Sequence, residues 1–193
     1  MITMKNAKII ALSALMAALS LILQVLPLKI RTPWGMSIDL VAVPIVTLYF
    51  ILGFQASTFG LIVMTIGLSV ISGVNTMGIG PLMKFFATLS VLLGLKISES
   101  LIKDRNILYM IVAFVISTLI RDILMIALNY YFALPLYLKM MGYEIATRND
   151  VIRIVEELTK TPFWLAIALP NTIQTAVDMF VALPIAKRVS RFQ

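Results

Sequence analysis

The sequence predicts an all-α integral membrane protein in which six transmembrane helices form one bundle. Hydrophobic residues make up 61% of the 193 residues and charged residues only 13%, whereas a soluble domain is about half apolar and about a quarter charged. Six apolar runs, separated by polar or glycine- and proline-containing turns, are candidates to cross a bilayer. We therefore expect a single transmembrane domain over residues 1–193, with almost no room for a soluble domain.

The six predicted spans cover residues about 8–26, 38–52, 56–71, 81–96, 107–132 and 162–186. The first follows a short basic stretch, as the apolar part of a signal peptide does. Its apolar run continues for about 20 residues, however, and further spans follow, so we interpret it as a retained first helix.

Alanines recur along one face of the first span. Ala7, Ala11, Ala14 and Ala18 follow a helical spacing that places all four on one side. Small side chains let a second helix approach closely inside a membrane. The pattern predicts a packing face, whose partner is either another part of this chain or another subunit.

Residues 27–37 connect the first two spans and allow two interpretations. Lys29 and Arg31 are typical headgroup anchors, and Trp34 is a typical interfacial aromatic. Alternatively, the loop is a lid over a pocket, with Trp34 covering a flat ligand. Asp39, which follows the loop, is either a charge at a helix N-terminus or a pocket residue.

Ionisable residues interrupt three later spans. Lys84 lies about one turn into the fourth span, and we expect it to extend toward the headgroups. Arg121 and Asp122 are adjacent in the fifth span and point to different faces, so they are not simply partners. Asp178 in the sixth span is a candidate partner for Arg121, in a structural role.

The longest connection, residues 134–161, is predicted to contain a short amphipathic helix over the membrane or the bundle mouth. Asn149 or Asp150 is suited to cap it, and its apolar stripe consists of Val151, Ile154, Val155 and Leu158. In the sixth span, Pro170 removes one backbone hydrogen bond and is expected to open the helix beside Asn171.

Six spans place both chain termini on one side of the membrane. Lys and Arg are slightly more frequent on that side, which predicts cytoplasmic termini. The loop 27–37 and the neutral amides of Asn129 and Asn171 then lie toward the outer half. Amides at membrane depth are costly unless they find partners, so they mark either a ligand site or an interhelical hydrogen bond.

Several function classes are excluded or disfavoured. The chain has no cysteine and no histidine, which removes thiol and imidazole catalysis and His- or Cys-ligated metals. No phosphate-binding loop of the ATPase type occurs, and the carboxylates of Asp39, Asp122 and Asp178 are dispersed without a nucleophile–base pattern. Its scattered basic residues suit lipid contact better than nucleic acid. We expect a non-enzymatic protein without a cofactor or metal.

The order and spacing of these residues resemble the substrate-binding S components of energy-coupling factor (ECF) vitamin transporters, most of all the riboflavin-specific type. The resemblance covers most of the chain. It rests on the alanine face, Ile38-Asp39-Leu40 with Val43-Pro44, Asn129-Tyr130 with Leu134-Pro135 and Tyr137, and Pro170-Asn171.

This resemblance implies a six-helix, multi-pass subunit of the cell membrane that binds riboflavin from outside, as a transported ligand. A transmembrane coupling subunit would contact the alanine face, and two ABC ATPases would supply the energy. The loop between the first two helices would help to close the pocket. The implied ligand-binding residues are Asn129, Asn171, Gln174, Asp39, Trp34 and Tyr130.

Three departures from the family pattern bear on the substrate, and one of them is that the third span, residues 56–71, lacks the charged and amide residues expected there. Gln174 stands where a lysine is expected, and Ala42 where many riboflavin-specific members have a second acid. Gln174 can still donate to and accept from a hydroxyl, but the lost cation argues against a ligand that needs a counter-charge. The alternatives are an S component for another vitamin or small metabolite, a stand-alone permease, which no internal repeat supports, and a small multi-pass enzyme.

Overall fold

The computed structural model describes residues 4–32, 36–72, 78–104 and 106–190, apart from the side chains of Met4, Lys5 and Ser190. Over these residues the chain is almost entirely helical, with one two-stranded hairpin. A π-helical segment, Asn129–Ala133, joins α5 to α6. The elements are α1 Met4–Val25, β1 Lys29–Arg31, β2 Ser37–Asp39, α2 Val43–Leu52, α3 Phe54–Ser72, α4 Ile79–Leu101, α5 Ile107–Leu128, α6 Leu134–Met140, α7 Arg148–Thr159 and α8 Phe163–Ser190.

Five helical stretches in the described part of the chain are long and apolar enough to cross a membrane. The remaining apolar helix, α2, has only ten residues, or about 15 Å at the usual helical rise, against a hydrocarbon core of about 30 Å. Seven of its residues are buried, so α2 is a short central helix of the bundle. The five long stretches are Asn6–Val25, Phe54–Ser72, Ile79–Leu101, Ile107–Met140 and Phe163–Val189.

The predicted second span, 38–52, is wrong in its first residues. Ser37–Asp39 forms an antiparallel strand against Lys29–Arg31, with Ile30 opposite Ile38, and the helix begins only at Val43. The apolar composition of residues 38–52 made them appear to be one helix. These residues pair with residues six to ten positions upstream, and the apolar run by itself does not reveal that pairing.

The fifth predicted span ends too early. The helical path continues through the π-helical segment and α6 as far as Met140, so the connection predicted for 134–161 starts later. Pro135 lies in the first turn of α6 and donates no backbone hydrogen bond. The carbonyls of Tyr130 and Tyr131, five and four residues before it, accept from the Arg148 side chain. Single-turn π-helical segments are frequent at functional sites, and this one begins at Asn129.

The helix α7 begins slightly before the predicted caps. Its N-cap is Thr147, and the Asp150 carboxylate accepts a hydrogen bond from the Thr147 N–H at 2.7 Å. This backbone bond holds the pKa of Asp150 below its ordinary value. On the opposite side, Val151, Ile154 and Val155 are buried against the start of α8, so α7 covers one end of the bundle.

The last helix, α8, is continuous from Phe163 to Ser190 with Pro170 and Pro184 inside it. The expected opening beside Asn171 does not occur. The Asn171 side chain donates to the Ile167 carbonyl at 2.8 Å, and Thr175 donates to the Asn171 carbonyl at 2.9 Å. Both side-chain bonds run within α8 on either side of Asn171, where the helix stays continuous past the proline.

Candidate functional site

A cavity of about 720 Å³ lies at the end of the bundle away from both termini. Ligand pockets range from about 300 to 1,000 Å³, so this space suits a small molecule with several rings. Its walls come from the C-terminal ends of α1 and α3, the hairpin, the N-terminal turns of α4, the C-terminal half of α5 and the first half of α8.

Four of the six predicted ligand-binding residues line this cavity. Asp39, Asn129, Asn171 and Gln174 all do so, and each side chain is at most 6% exposed. Tyr130 is not part of the cavity lining; its ring packs edge-on against other aromatics, at 5.9 Å from the Phe163 ring and 4.7 Å from the Tyr131 ring. Trp34 lies outside the described residues.

Asn129 has hydrogen-bonding capacity to spare. Its Nδ2 donates to the Met125 carbonyl of the preceding turn at 2.8 Å. Its Oδ1 has no hydrogen-bond partner within the described part of the chain, although the residue is 3% exposed and borders the cavity. An amide oxygen at a cavity wall that no protein donor uses is free to accept a hydrogen bond from water or from a ligand. Asn129 is therefore placed to accept a hydrogen bond from a ligand.

Asn171 is already engaged with the protein. Its Oδ1 accepts from Arg121 Nε at 3.1 Å, and its Nδ2 donates within its own helix. Arg121 Nη1 in turn donates to Asp178 Oδ2 at 2.9 Å. The structure thus pairs Arg121 with Asp178, the candidate partner identified from the sequence, and places both at the cavity wall.

Gln174 fastens the hairpin to α8. Its Oε1 accepts from the Asp39 N–H and its Nε2 donates to the Asp39 carbonyl, both at 2.7 Å. Nε2 also donates to Asp178 at 2.7 Å. Non-helical backbone within a membrane protein requires such partners. Gln174 therefore acts as a clip: it supplies hydrogen-bond partners to the backbone N–H and C=O of Asp39 at the end of β2. Both its side-chain oxygen and its side-chain nitrogen are thereby already hydrogen-bonded within the protein.

Lys84 does not extend toward the headgroups as expected. Its ammonium forms an ion pair with the Asp39 carboxylate at the cavity wall and donates to Gln24 at 3.3 Å. Asp39 also accepts from the Ser37 hydroxyl and the Val41 N–H, each at 3.0 Å. A buried carboxylate in an apolar bundle requires this degree of compensation, which explains why Lys84 turns inward.

These contacts join into one polar chain across the bundle. It runs from α1 through α4 and the hairpin to α8 and α5, so that each buried charge has a counter-charge or a donor. Sequence reasoning had not assigned Lys84, Arg121 and Gln24 to the site. All three could have been identified from the sequence, because each is an ionisable or amide residue within an apolar run. Such a residue inside a membrane is by default a candidate for a functional site. Its members in order are Gln24, Lys84, Asp39, Gln174, Asp178, Arg121 and Asn171.

Replacing Gln174 with alanine should release the hairpin. The Asp39 N–H and C=O would lose their partners, each at a cost of about 1–3 kcal/mol if it stays buried, so the strand should detach more often. Limited trypsin digestion of the purified protein should then cleave faster after Lys29, while cleavage after Lys139, on the exposed surface of α6, stays unchanged.

The matched control for this digestion is Gln24→Ala. Gln24 also borders the cavity but accepts only one long bond, from Lys84, and bonds no backbone of the hairpin. Equal cleavage rates after Lys29 in Gln174→Ala and Gln24→Ala would contradict the assignment of Gln174 as the clip.

The predicted alanine face has no partner in the described part of the chain. Ala7, Ala11, Ala14 and Ala18 are all exposed, while the opposite face of α1 is buried against α2 and α3 through Ser13, Met16, Ala17 and Ser20. Of the two partners left open by the sequence, another part of this chain is therefore excluded over the described residues.

The fold, unlike the sequence, has a recognisable relative among known proteins. No protein-family model matches the sequence, and no curated protein matches it either. Among solved structures, the fold is similar to one described as the S component of a bacterial ECF transporter. The TM-score is 0.71 at 21% sequence identity, and the match covers 97% of this chain and 98% of the other. The chain therefore has the fold of an ECF-transporter S component.

Proposed function

We propose that this chain is the substrate-binding S component of an ECF-type importer and that it binds riboflavin or a close flavin relative. The observation that carries the proposal is the Asn129 oxygen without a protein partner, which borders a cavity of suitable size in a bundle with the S-component fold. A transport component, unlike an enzyme, needs only to bind and release its ligand.

The cavity is suited to a planar, amide-rich ligand. Apolar walls from Met36, Met83, Met125 and Tyr137 fit around an aromatic ring system. Asn129 supplies an acceptor at one wall, and Arg121 Nη2 has no hydrogen-bond partner among the described residues. A flavin ring presents one N–H donor between two carbonyl acceptors along one edge, and these groups match the acceptor of Asn129 and the donor of Arg121.

The same proposal assigns the direction of transport. Both termini would lie in the cytoplasm, so the cavity would open toward the outside, where a vitamin is captured. The exposed alanine face of α1 would then pack against a transmembrane coupling subunit, with two ABC ATPases driving release. Four small side chains in a row on a membrane helix favour a close helix–helix contact of this kind.

A riboflavin titration of the detergent-purified chain tests the ligand, with quenching of flavin fluorescence as the signal. Saturable quenching is expected. Asn129→Ala should lower the riboflavin affinity about tenfold to a hundredfold, the effect of losing one buried hydrogen bond. Asn129 bonds only its own helix, so this variant should keep the fold, as its thermal unfolding will show.

The matched control is Asn149→Ala, which removes an exposed asparagine from the surface of α7 and should leave the affinity unchanged. Failure of the folded wild-type chain to quench riboflavin would reject the flavin ligand. Uptake into proteoliposomes by this chain alone, without ATP, would reject the S-component role in favour of a permease.

A further inference from the structure

The hairpin has one charged face and one apolar face. Lys29 pairs with Asp39 and Arg31 with Ser37 across the ladder, and residues directly opposite one another or two apart on a strand share a face. All four of these side chains border the cavity. On the other face, Ile30 is 71% exposed. The hairpin therefore turns its cations toward the cavity and its isoleucine toward the surroundings.

The cavity wall has an excess of positive charge. Its cationic side chains are Lys29, Arg31, Lys84 and Arg121, and its only anionic ones among the described residues are Asp39 and Asp178. Four cations against two anions leave two positive charges uncompensated. The neighbouring undescribed segments, 33–35 and 73–77, contain no charged residue that would balance them.

The uncompensated charges belong to the hairpin. Lys84 is paired with Asp39, and Arg121 with Asp178. Lys29 and Arg31 have no ion-pair or hydrogen-bond partner among the residues that the structure describes. Two free cations on one strand, two residues apart and on the same face, are well spaced to bind one anionic group.

We propose that the ligand carries an anionic group, a phosphate ester or a carboxylate, which Lys29 and Arg31 bind at the cavity mouth. The inference deepens the proposed function and rests on it: for a flavin, the phosphorylated form binds more tightly than neutral riboflavin. The missing lysine at Gln174 had argued against an anionic ligand. The structure supplies the counter-charge from the hairpin instead.

The orientation of the hairpin distinguishes this role from lipid anchoring. A headgroup anchor directs its cation to the membrane surface and keeps apolar groups against the protein or the lipid core. Here the two cations share the face that borders the cavity, Lys29 half-buried and Arg31 exposed at its mouth, whereas Ile30 lies on the other face and does not border the cavity. The phosphate bound by this face is accordingly that of the ligand.

The test compares riboflavin with flavin mononucleotide, which differ only by the phosphate, in nanodiscs of purely zwitterionic lipid. At low ionic strength, the mononucleotide should bind about tenfold more tightly, the effect expected of one charge-assisted hydrogen bond. Lys29→Gln/Arg31→Gln should abolish this preference, which is measured as the ratio of the two flavin affinities within the same variant. The control Lys139→Gln removes an exposed cation that does not border the cavity and should preserve the preference.

The salt dependence of binding is a second test of the anionic-ligand inference. The mouth is partly open to solvent, and screening shortens the range of the attraction from about 10 Å at 0.1 M to about 3 Å at 1 M salt. The preference for the phosphorylated flavin should therefore shrink with ionic strength, while riboflavin binding stays constant.

The outcomes separate the two proposals. Equal affinities for both flavins, or a preference that persists in the double variant, overturn the anionic-ligand inference and leave the flavin-binding function standing. If the cations serve lipid headgroups, the double variant will lose co-purifying anionic lipid without changing either flavin affinity, which also overturns the inference. Binding of neither flavin rejects the proposed function itself.

Discussion

Replacing Arg121 with methionine is expected to lower the free energy of unfolding by about 3–5 kcal/mol, the usual cost of removing one partner of a buried ion pair. Arg121 is 6% exposed and Asp178 is fully buried. Without the guanidinium, the Asp178 carboxylate would keep only the bond from Gln174 Nε2, and Asn171 Oδ1 would lose its donor. Reversible unfolding in detergent mixtures measures the loss directly.

A double variant separates charge from packing. Arg121→Met/Asp178→Leu removes both charges and should recover most of the lost stability, because an apolar pair of similar volume often replaces a buried ion pair without loss. The control is Arg153→Met, which breaks the exposed pair with Asp150 on α7 and should change stability little. A double variant as unstable as Arg121→Met would show that the pair acts through its shape and hydrogen bonds.

Gly94→Ala is expected to disrupt the crossing of α4 and α5. A methyl group on Gly94 would lie 2.5 Å from Ser117 Cα and 2.6 Å from Ser117 N, well inside van der Waals contact with rigid backbone. The two helices must separate to admit it, at a cost of about 1–3 kcal/mol or more. The separation would also lengthen the hydrogen bond from Ser117 to the Val91 carbonyl, now 3.2 Å.

The matched control is Gly67→Ala on α3. There the new methyl would meet only the end of the Leu21 side chain, which can change rotamer, so a smaller decrease in unfolding temperature is expected. Equal decreases in the two variants would indicate that helix propensity or general crowding, and not the approach to the Ser117 backbone, determines the effect.

The sequence located most of the helices because apolar run length is a local property. Each of the first, third, fourth and last predicted spans lies almost entirely within one helix of the structure, and the ends differ by a few residues. The errors fall where a tertiary partner decides: the start of the second span, which pairs as β2 with β1, and the end of the fifth, which continues through a π-helical turn into α6.

At the site, the sequence indicated which residues are involved but not which hydrogen bonds each side chain makes. Asn129, Asn171, Gln174 and Asp39 were recognised as unusual within apolar runs, and the structure brings them to one cavity. Only the geometry shows that Gln174 is used by the hairpin and that Asn129 has an acceptor to spare. Hydrogen-bond capacity depends on neighbours that are far away in sequence, so composition cannot assign it.

By itself, the sequence determined that this protein is a bundle of apolar membrane helices without thiol or imidazole chemistry, because hydropathy and the residue inventory do not depend on how the chain folds. The tertiary structure alone decided which charges meet. Lys84 could face the headgroups or the interior, and Lys29 could face lipid or the cavity; the choice follows from the hairpin, whose pairing and bond to Gln174 turn one face inward. Burial makes each unpaired charge costly, so that choice of face sets the chemistry of the cavity.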